Sequence, residues 1–351
     1  MLQECQEQYA RKLPFVLFRK PNSDQVITLL QKDATLHKVS DYKEKGFVFA
    51  TFMGNESFIL PATECQVIIR TFETKLRSLR ALSTEEIENE TKKVRHTNLV
   101  KKGISHIENG DFSKVVLSRR ETLLINDFDF LDTFNKLASA YTSAFAYCFY
   151  HPKVGLWLGA FSEQLIFAKG RNFRTMAVAG SQLYVENAPT FWGSKEVTEQ
   201  QLVTDFIFSN LSRVSSEIHV SEPYTLRAGN LAHIKTDITG TFNNEMQLKD
   251  VLSILHPTPA VCGFPKDVAL NFIVANEGYD RRFYAGFLGE LNFDFESEEQ
   301  ASDLYVNLRC MEIEDNLAHI YIGGGITVDS DAESEWQETV NKSQTIKNIL
   351  F

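Results

Sequence analysis

The chain has 351 residues, 43% hydrophobic and 23% charged, the balance of a soluble globular protein with enough apolar material for a sizeable core. Its formal charge of -10 would repel a polyanion, which argues against nucleic-acid binding and requires any anionic substrate to meet a local cluster of cations or a bound metal. Five scattered cysteines (Cys5, Cys65, Cys148, Cys262, Cys310), with no CxxC or Cys/His cluster, argue against zinc and disulfides and fit a reducing compartment. The polar N-terminal run and the absence of an apolar stretch of the ~20 residues needed for a span predict a cytoplasmic protein with no membrane partner.

In chain order, alternation and turn residues predict short strands at Phe15–Phe18, Gln25–Leu30, Gly46–Phe52 and Gln66–Arg70. A helix is expected from Ser83, where Ser83 and Glu86 form a capping box, to a stop near Gly110. The strand Lys114–Ser118 follows, then a loop with Asp127 and Asp129 and a helix ending near Thr142. Strands are expected at Phe145–Tyr150, Val154–Leu158, Gln164–Ala168 and Arg174–Val178, then a long helix over Lys195–Ser212. Strands around Tyr224–Ile238 lead to a helix at 247–255, a loop at His256–Ala260 and a helix at Lys266–Asn276. The chain closes with strands Tyr284–Phe293, Ser302–Glu312 and Leu317–Ile322, a loop at Gly323–Gly325, and a helix from Ser334 to Leu350. No internal repeat or linker interrupts this order. Strands in antiparallel-looking groups broken by helices predict an α+β chain folded as one unit over residues 1–351.

Charges on faces that ought to be apolar point to candidate chemistry. In the 195–212 helix, Glu199 shares the side of Val203, Phe206, Ile207 and Leu211, either as a buried carboxylate needing a partner or as a solvated residue of the first turn. In the last helix, Glu335, Glu338 and Lys342 align, which suits an oxygen-liganded cation beside a substrate carboxylate, or equally an ordinary charged face. In the strand Lys114–Arg119 each face mixes one cation with apolar neighbours. A lysine in a dry site can become a base near neutral pH, whereas an edge-strand lysine merely blunts pairing. The run Gly323–Gly325 reads as a carboxylate-cradling turn or a plain tight one, and it lacks the Lys-Ser/Thr of a P-loop. The prolines of His256-Pro-Thr-Pro fix the backbone around Thr258. Arg309, alternating with Asn307 on an expected strand, could fork onto a carboxylate or pair with a surface acid.

Together these segments resemble one family, the chorismate-utilising enzymes, which include isochorismate synthase, salicylate synthase and the large subunits of anthranilate and aminodeoxychorismate synthases. The resemblance runs from about Phe112 to the C-terminus, and residues 1–100 match poorly. Its motifs are Phe112-Ser-Lys-Val-Val-Leu-Ser-Arg119, Gly159-Ala-Phe-Ser-Glu163, Val178-Ala-Gly-Ser181, Lys195-Glu-Val-Thr-Glu-Gln-Gln-Leu-Val203 and Leu255-His-Pro-Thr-Pro-Ala260, followed by Gly263-Phe-Pro265, Asp280-Arg-Arg-Phe-Tyr-Ala-Gly286, and Gly323-Gly-Gly-Ile326 with Glu335-Trp-Gln-Glu338.

The resemblance implies antiparallel sheets flanked by helices and a magnesium-dependent site for the small molecule chorismate. By position, Lys114 is similar to the family's general base on water and Glu163 to its general acid on the departing hydroxyl. Glu199 and Glu338 match magnesium ligands, and Glu335 matches an acid supporting the metal. Gly180, His256, Thr258, Arg309, Gly323, Gly325 and Lys342 match the substrate-binding set. Ala179 stands where aminating relatives with a covalent intermediate carry lysine, and Lys114 is absent from anthranilate-type enzymes. Both features resemble the water-using branch, and Glu277–Gly286 resembles isochorismate synthases more than salicylate synthases. One departure is Phe161-Ser162, where most relatives have Ser-Pro before the acid. The implied activity is isochorismate synthesis for menaquinone, with a siderophore as the alternative pathway, by a monomer. Salicylate synthesis, an aminating subunit and an inactive chorismate-binding subunit are the alternatives.

Overall fold

The computed structural model describes residues 2–73, 90–184, 190–228, 231–244 and 246–351. Two sheets carry the chain. The nine-stranded sheet runs, edge to edge, Gly263–Phe264, Lys114–Leu124, Leu317–Ile326, Cys310–Glu314, Gly155–Phe161, Phe145–His151, Phe15–Arg19, Gln25–Gln31 and Cys65–Thr71. The ten-stranded sheet runs Ser215–Val220, Leu231–Phe242, Asn172–Leu183, Gln164–Lys169, Ser302–Val306, Phe287–Leu291, Gly46–Ala50, Ser57–Pro61 and His37–Lys38, with Tyr224–Ala228 also on Leu231–Phe242. Pairings among the described strands are antiparallel. Together with the helices this is the expected α+β architecture. The strands within residues 15–71 contribute three members to each sheet, so the segment of weakest sequence resemblance is built into both.

The period-2 alternation of strands explains the layering. Val16, Phe18, Tyr147 and Phe149 of the nine-stranded sheet join a core shared with the second sheet. Their neighbours Phe15, Leu17, Ala146 and Cys148 face the other way, into a second core with Leu131, Phe134 and Leu137 of the helix Phe130–Ala140 and Ile346 and Ile349 of the last helix. Aromatic pairs bridge the sheets, among them Phe18–Phe47 at 5.0 Å and Phe145–Tyr305 at 4.6 Å between centroids. The five cysteines are buried and free. No described helix is long and apolar enough to cross a membrane.

The expected helix start at Ser83 lies outside the described residues, and that helix is described as Glu90–Glu108. Two expectations need correction. The expected strand Ser302–Glu312 is two strands, Ser302–Val306 and Cys310–Glu314, in different sheets. Arg309 therefore sits on the crossover rather than on a strand, with φ 43°, and Asn307 anchors the break by donating to Phe283 O and accepting from Tyr147 OH. Gly323–Gly325 form no loop: the strand Leu317–Ile326 runs through them, paired with Ser118, Leu117 and Val116. Glycine is required there because side chains from elsewhere press against the strand, as the site makes plain.

Candidate active site

The two sheets exchange chain at one seam. Strand Gly155–Phe161 passes through Ser162 and Glu163 into Gln164–Lys169 of the other sheet, and Ser302–Val306 returns through Asn307–Arg309. The crossovers hold each other: Ala160 N donates to Arg309 O, and Val306 N to Glu163 O at 2.9 Å. Backbone connectivity thus delivers a carboxyl and a guanidinium to one place. They line a cavity of about 200 Å³ together with Gly180, Glu199, His233, Tyr284, Gly323, Gly324, Gly325, Glu338 and Lys342.

Three carboxylates converge on the glycine strand. Helix Ser194–Leu211 brings Glu199, and helix Ala332–Leu350, capped by Asp331 accepting from Ser334 N, brings Glu335 and Glu338. A β-carbon on Gly325 would lie 2.9 Å from Glu199 Cδ and 3.1 Å from Lys114 Cε, and one on Gly324 would lie 3.3 Å from Glu335 Oε2 and 3.8 Å from Glu338 Oε1. The glycines are what lets the acids reach the backbone. Each acid has a lysine partner. Lys114 Nζ, fully buried, is 2.9 Å from Glu199 Oε1, Lys195 Nζ is 2.5 Å from Glu335 Oε1, and Lys342 Nζ pairs with Glu338 while donating to Gly323 O at 3.0 Å.

Electrostatics divides these groups. Burial pushes the Glu163 carboxyl up to about 7, against the opposing pull of Lys114 and Arg309. Burial and the charge of Glu338 raise Glu335. Burial would raise Glu338 too, but Lys342, with Lys195 and Arg309, holds it below the usual carboxylate range. Burial, with Arg309 and Lys342 close by, takes His233 down to about 4, so its imidazole is neutral at pH 7 and its Nδ1 lies 3.0 Å from both Gly180 O and Ser181 Oγ.

Glu199, Glu335 and Glu338 are the residues suited to a metal. The described side chains form no preassembled cluster of three or more His, Cys, Asp or Glu. The donor set nevertheless fits a hard cation: all donors are carboxylate oxygens, and Glu335 Oε2 is buried without a hydrogen-bond partner among the described residues, an expensive state unless something positive meets it.

The structure does not bring every expected residue to the cavity lining: Lys114 and Glu335 are buried beside it, against Glu199 and the glycine strand, and His256 and Thr258 lie away from it. His256 Nε2 bonds the carbonyls of Thr51 and Phe52, at 3.2 and 3.0 Å, and burial takes its imidazole down to about 4. Thr258 is buried and its carbonyl accepts from Val261 N and Cys262 N, which shapes the turn leading to the cavity residues Ala260 and Val261. Conversely, Tyr284, His233 and Tyr141 line the cavity and Lys195 pairs with Glu335, and none of the four is singled out by the sequence. Lys195 and Tyr284 stand inside motifs quoted above, whereas His233 lies on a strand whose alternation gives it no distinguishing signal.

A two-sheet enzyme with a cation-rimmed, acid-lined cavity at its seam is the class defined here. The chain belongs to the chorismate binding enzyme family, whose sequence profile matches residues 53–351. It is 31% identical over 273 residues to isochorismate synthase MenF of Escherichia coli strain K12, covering 72% of this chain and 59% of that protein. It is 31% identical over 205 residues to isochorismate synthase EntC of the same strain, covering 56% of this chain and 51% of that one. The chain thus matches little more than half the length of these relatives. The solved structure of MenF, the menaquinone-specific isochorismate synthase of Escherichia coli, superposes with a TM-score of 0.77 at 22% identity, covering 96% of this chain and 89% of that one, a likeness of fold.

Proposed function

We propose that the chain converts chorismate to isochorismate with the help of magnesium. The observation that carries this is one cavity combining a carboxyl held protonated near neutrality, Glu163, with Glu199, which pairs with the buried Lys114 beside Gly325, and the cations Arg309 and Lys342 at its wall. The two named relatives add support.

Arg309 and Lys342 meet the two substrate carboxylates, offsetting the chain's net negative charge locally. Lys114 takes a proton from water as it attacks C2, the ring double bonds shift, and Glu163 gives its proton to the hydroxyl leaving C4 as water. Glu163 is suited to this because burial keeps its proton in place close to neutral pH. Lys114 is oriented by Glu199, and Gly325 leaves room for both. Magnesium, when bound, supplies Lewis-acid polarisation of the ring carboxylate, and Glu199, Glu338 and Glu335 are the residues that would hold it. Since the bonds made and broken are alike, the reaction is reversible. Gly180, Gly323 and Gly325 contribute backbone surface to the substrate site, and His256 and Thr258 act at one remove by shaping its wall.

The product serves menaquinone synthesis, in keeping with the MenF relative, and the enzyme works as a cytoplasmic monomer. Incubating purified protein with chorismate and Mg²⁺ tests the central assignment: isochorismate should form without salicylate fluorescence. Salicylate would indicate pyruvate elimination, an ammonia-dependent product would indicate an aminating enzyme, and unchanged but bound chorismate would indicate a silent subunit. Growth of a menaquinone-requiring isochorismate synthase mutant on expression of the chain tests the pathway.

A further inference from the structure

The segment Glu277–Gly286, distinctive in sequence, takes no part in the chemistry above, yet it contains a buried ion pair aimed at the strand that carries Lys114. Glu277 and Arg281 are 3% and 2% exposed. Arg281 Nε donates to Glu277 Oε2 at 2.8 Å and Nη2 to Oε1 at 2.5 Å. The rest of the guanidinium is directed at backbone: Nη2 donates to Val116 O at 2.7 Å and Nη1 to Val261 O at 2.9 Å. Glu277 Oε1 in turn accepts from Ser118 N at 2.7 Å and Ser118 Oγ at 2.9 Å. The guanidinium carbon lies 4.3 Å from the centre of the Phe52 ring and 5.8 Å from that of Tyr284.

These partners follow a pattern. On one side, strand Lys114–Leu124 is paired along its length with Leu317–Ile326. On the other, the backbone pairing among the described residues is limited to the two-residue strand Gly263–Phe264, opposite Val115 and Lys114, and one more bond from Val116 N to Cys262 O. Val116 O and Ser118 N, the next ladder groups along that edge, are taken by Arg281 and Glu277. The ion pair stands in for a neighbouring strand where the real one stops. Val116, Val261 and Tyr284, all bonded to it or beside it, line the cavity.

We propose that Glu277 and Arg281 are positioning residues. By clamping Val116 and Ser118 to Val261, they fix the height of the strand so that the buried Lys114 stays opposite Glu199, which lines the cavity. This rests on the assignment of Lys114 as the base. A buried pair that served stability alone would change the melting temperature and leave turnover at permissive temperature intact.

The test compares Arg281→Lys with Val26→Ala, a core substitution remote from the site, assayed well below the melting temperature of each. An ammonium at position 281 can meet Glu277 but cannot span both carbonyls. Arg281→Lys should lower kcat at least ~10-fold with KM for chorismate within ~2-fold, because a small shift of the base penalises the chemical step and not binding. Val26→Ala should retain kcat. Ser118→Ala, which removes one contact of the clamp, should lower kcat less and in the same direction, and with Glu277→Gln it reads the clamp if Arg281→Lys does not fold. Wild-type kcat in the clamp variants, a rise in KM without loss of kcat, or an equal loss of kcat in Val26→Ala would overturn the proposal. If Lys114→Ala keeps full turnover, or the wild type makes no isochorismate, the assignment beneath it fails instead. An inactive Lys114→Ala beside a fully active Arg281→Lys sinks the clamp alone.

Discussion

Gly325→Ala isolates the contact on which the acid cluster depends. Gly325 lies in regular strand opposite Val116, with no positive φ recorded for it, so the backbone accepts alanine. The difficulty is space. The new β-carbon would stand 2.9 Å from Glu199 Cδ, closer to its Oε1, and 3.1 Å from Lys114 Cε. Non-bonded carbons pack at about 3.5–4.0 Å, so one partner must retreat by roughly 1 Å. Lys114 is fully enclosed and cannot, whereas Glu199, with 12% of its side chain exposed, can swing toward the cavity. Folding should therefore survive with little change in melting temperature, while the carboxylate that orients the lysine and would hold metal is displaced. A misplacement of about 1 Å at a reacting centre is worth on the order of 100-fold in rate. Gly325→Ala should lose about that much kcat with chorismate and Mg²⁺ and require more metal for half-saturation. Gly324→Ala, which approaches Glu335 Oε2 only to 3.3 Å, should lose far less. Gly325→Ala protein with unchanged kcat and an unchanged metal titration would refute the reasoning.

Glu163 makes a paired prediction about pH. Its carboxyl holds a proton to about pH 7 when folded, against 4.5 for an ordinary solvated glutamate, so between those values only the folded state keeps the proton. Stability therefore falls as pH rises from about 4.5 to 7 and is flat above, as far as this group is concerned. Glu163→Gln lacks the titration, so its melting temperature relative to wild type should climb across that window while its turnover is abolished. A constant difference between the two melting curves would contradict the assignment. Glu338→Gln should sharply weaken the Mg²⁺ dependence of turnover and the binding of Mn²⁺ followed by electron paramagnetic resonance. An unaltered Mn²⁺ titration would remove Glu338 from the metal site.

Most elements were legible in the sequence because their signals are local. The helix Lys266–Asn276 and the alternating strands near Phe145 and Gln164 follow from periodicity and turn residues alone. The misreadings were non-local. Nothing within Ser302–Glu312 announces that the chain changes sheets at Arg309, because the break is imposed by Asn307 bonding residues far away in sequence. Three consecutive glycines suggest a turn, and the reason they form a strand, carboxylates arriving from two helices, is visible only in three dimensions. The charged anomalies at Lys114, Glu199, Glu335 and Glu338 were legible one by one as polar residues on apolar faces. Their convergence was suggested by family resemblance, not by spacing. His256 illustrates the converse, since a histidine in a quoted motif turns out to bond the carbonyls of Thr51 and Phe52 outside the cavity lining.

In the proposed reaction, water adds at C2 of chorismate while the C4 hydroxyl departs. Running the reaction in H₂¹⁸O with Mg²⁺ and reading the product by mass spectrometry tests it most directly. The account predicts isochorismate carrying one solvent oxygen, at the C2 hydroxyl. Isochorismate without the label, meaning that the original hydroxyl migrates, would contradict it.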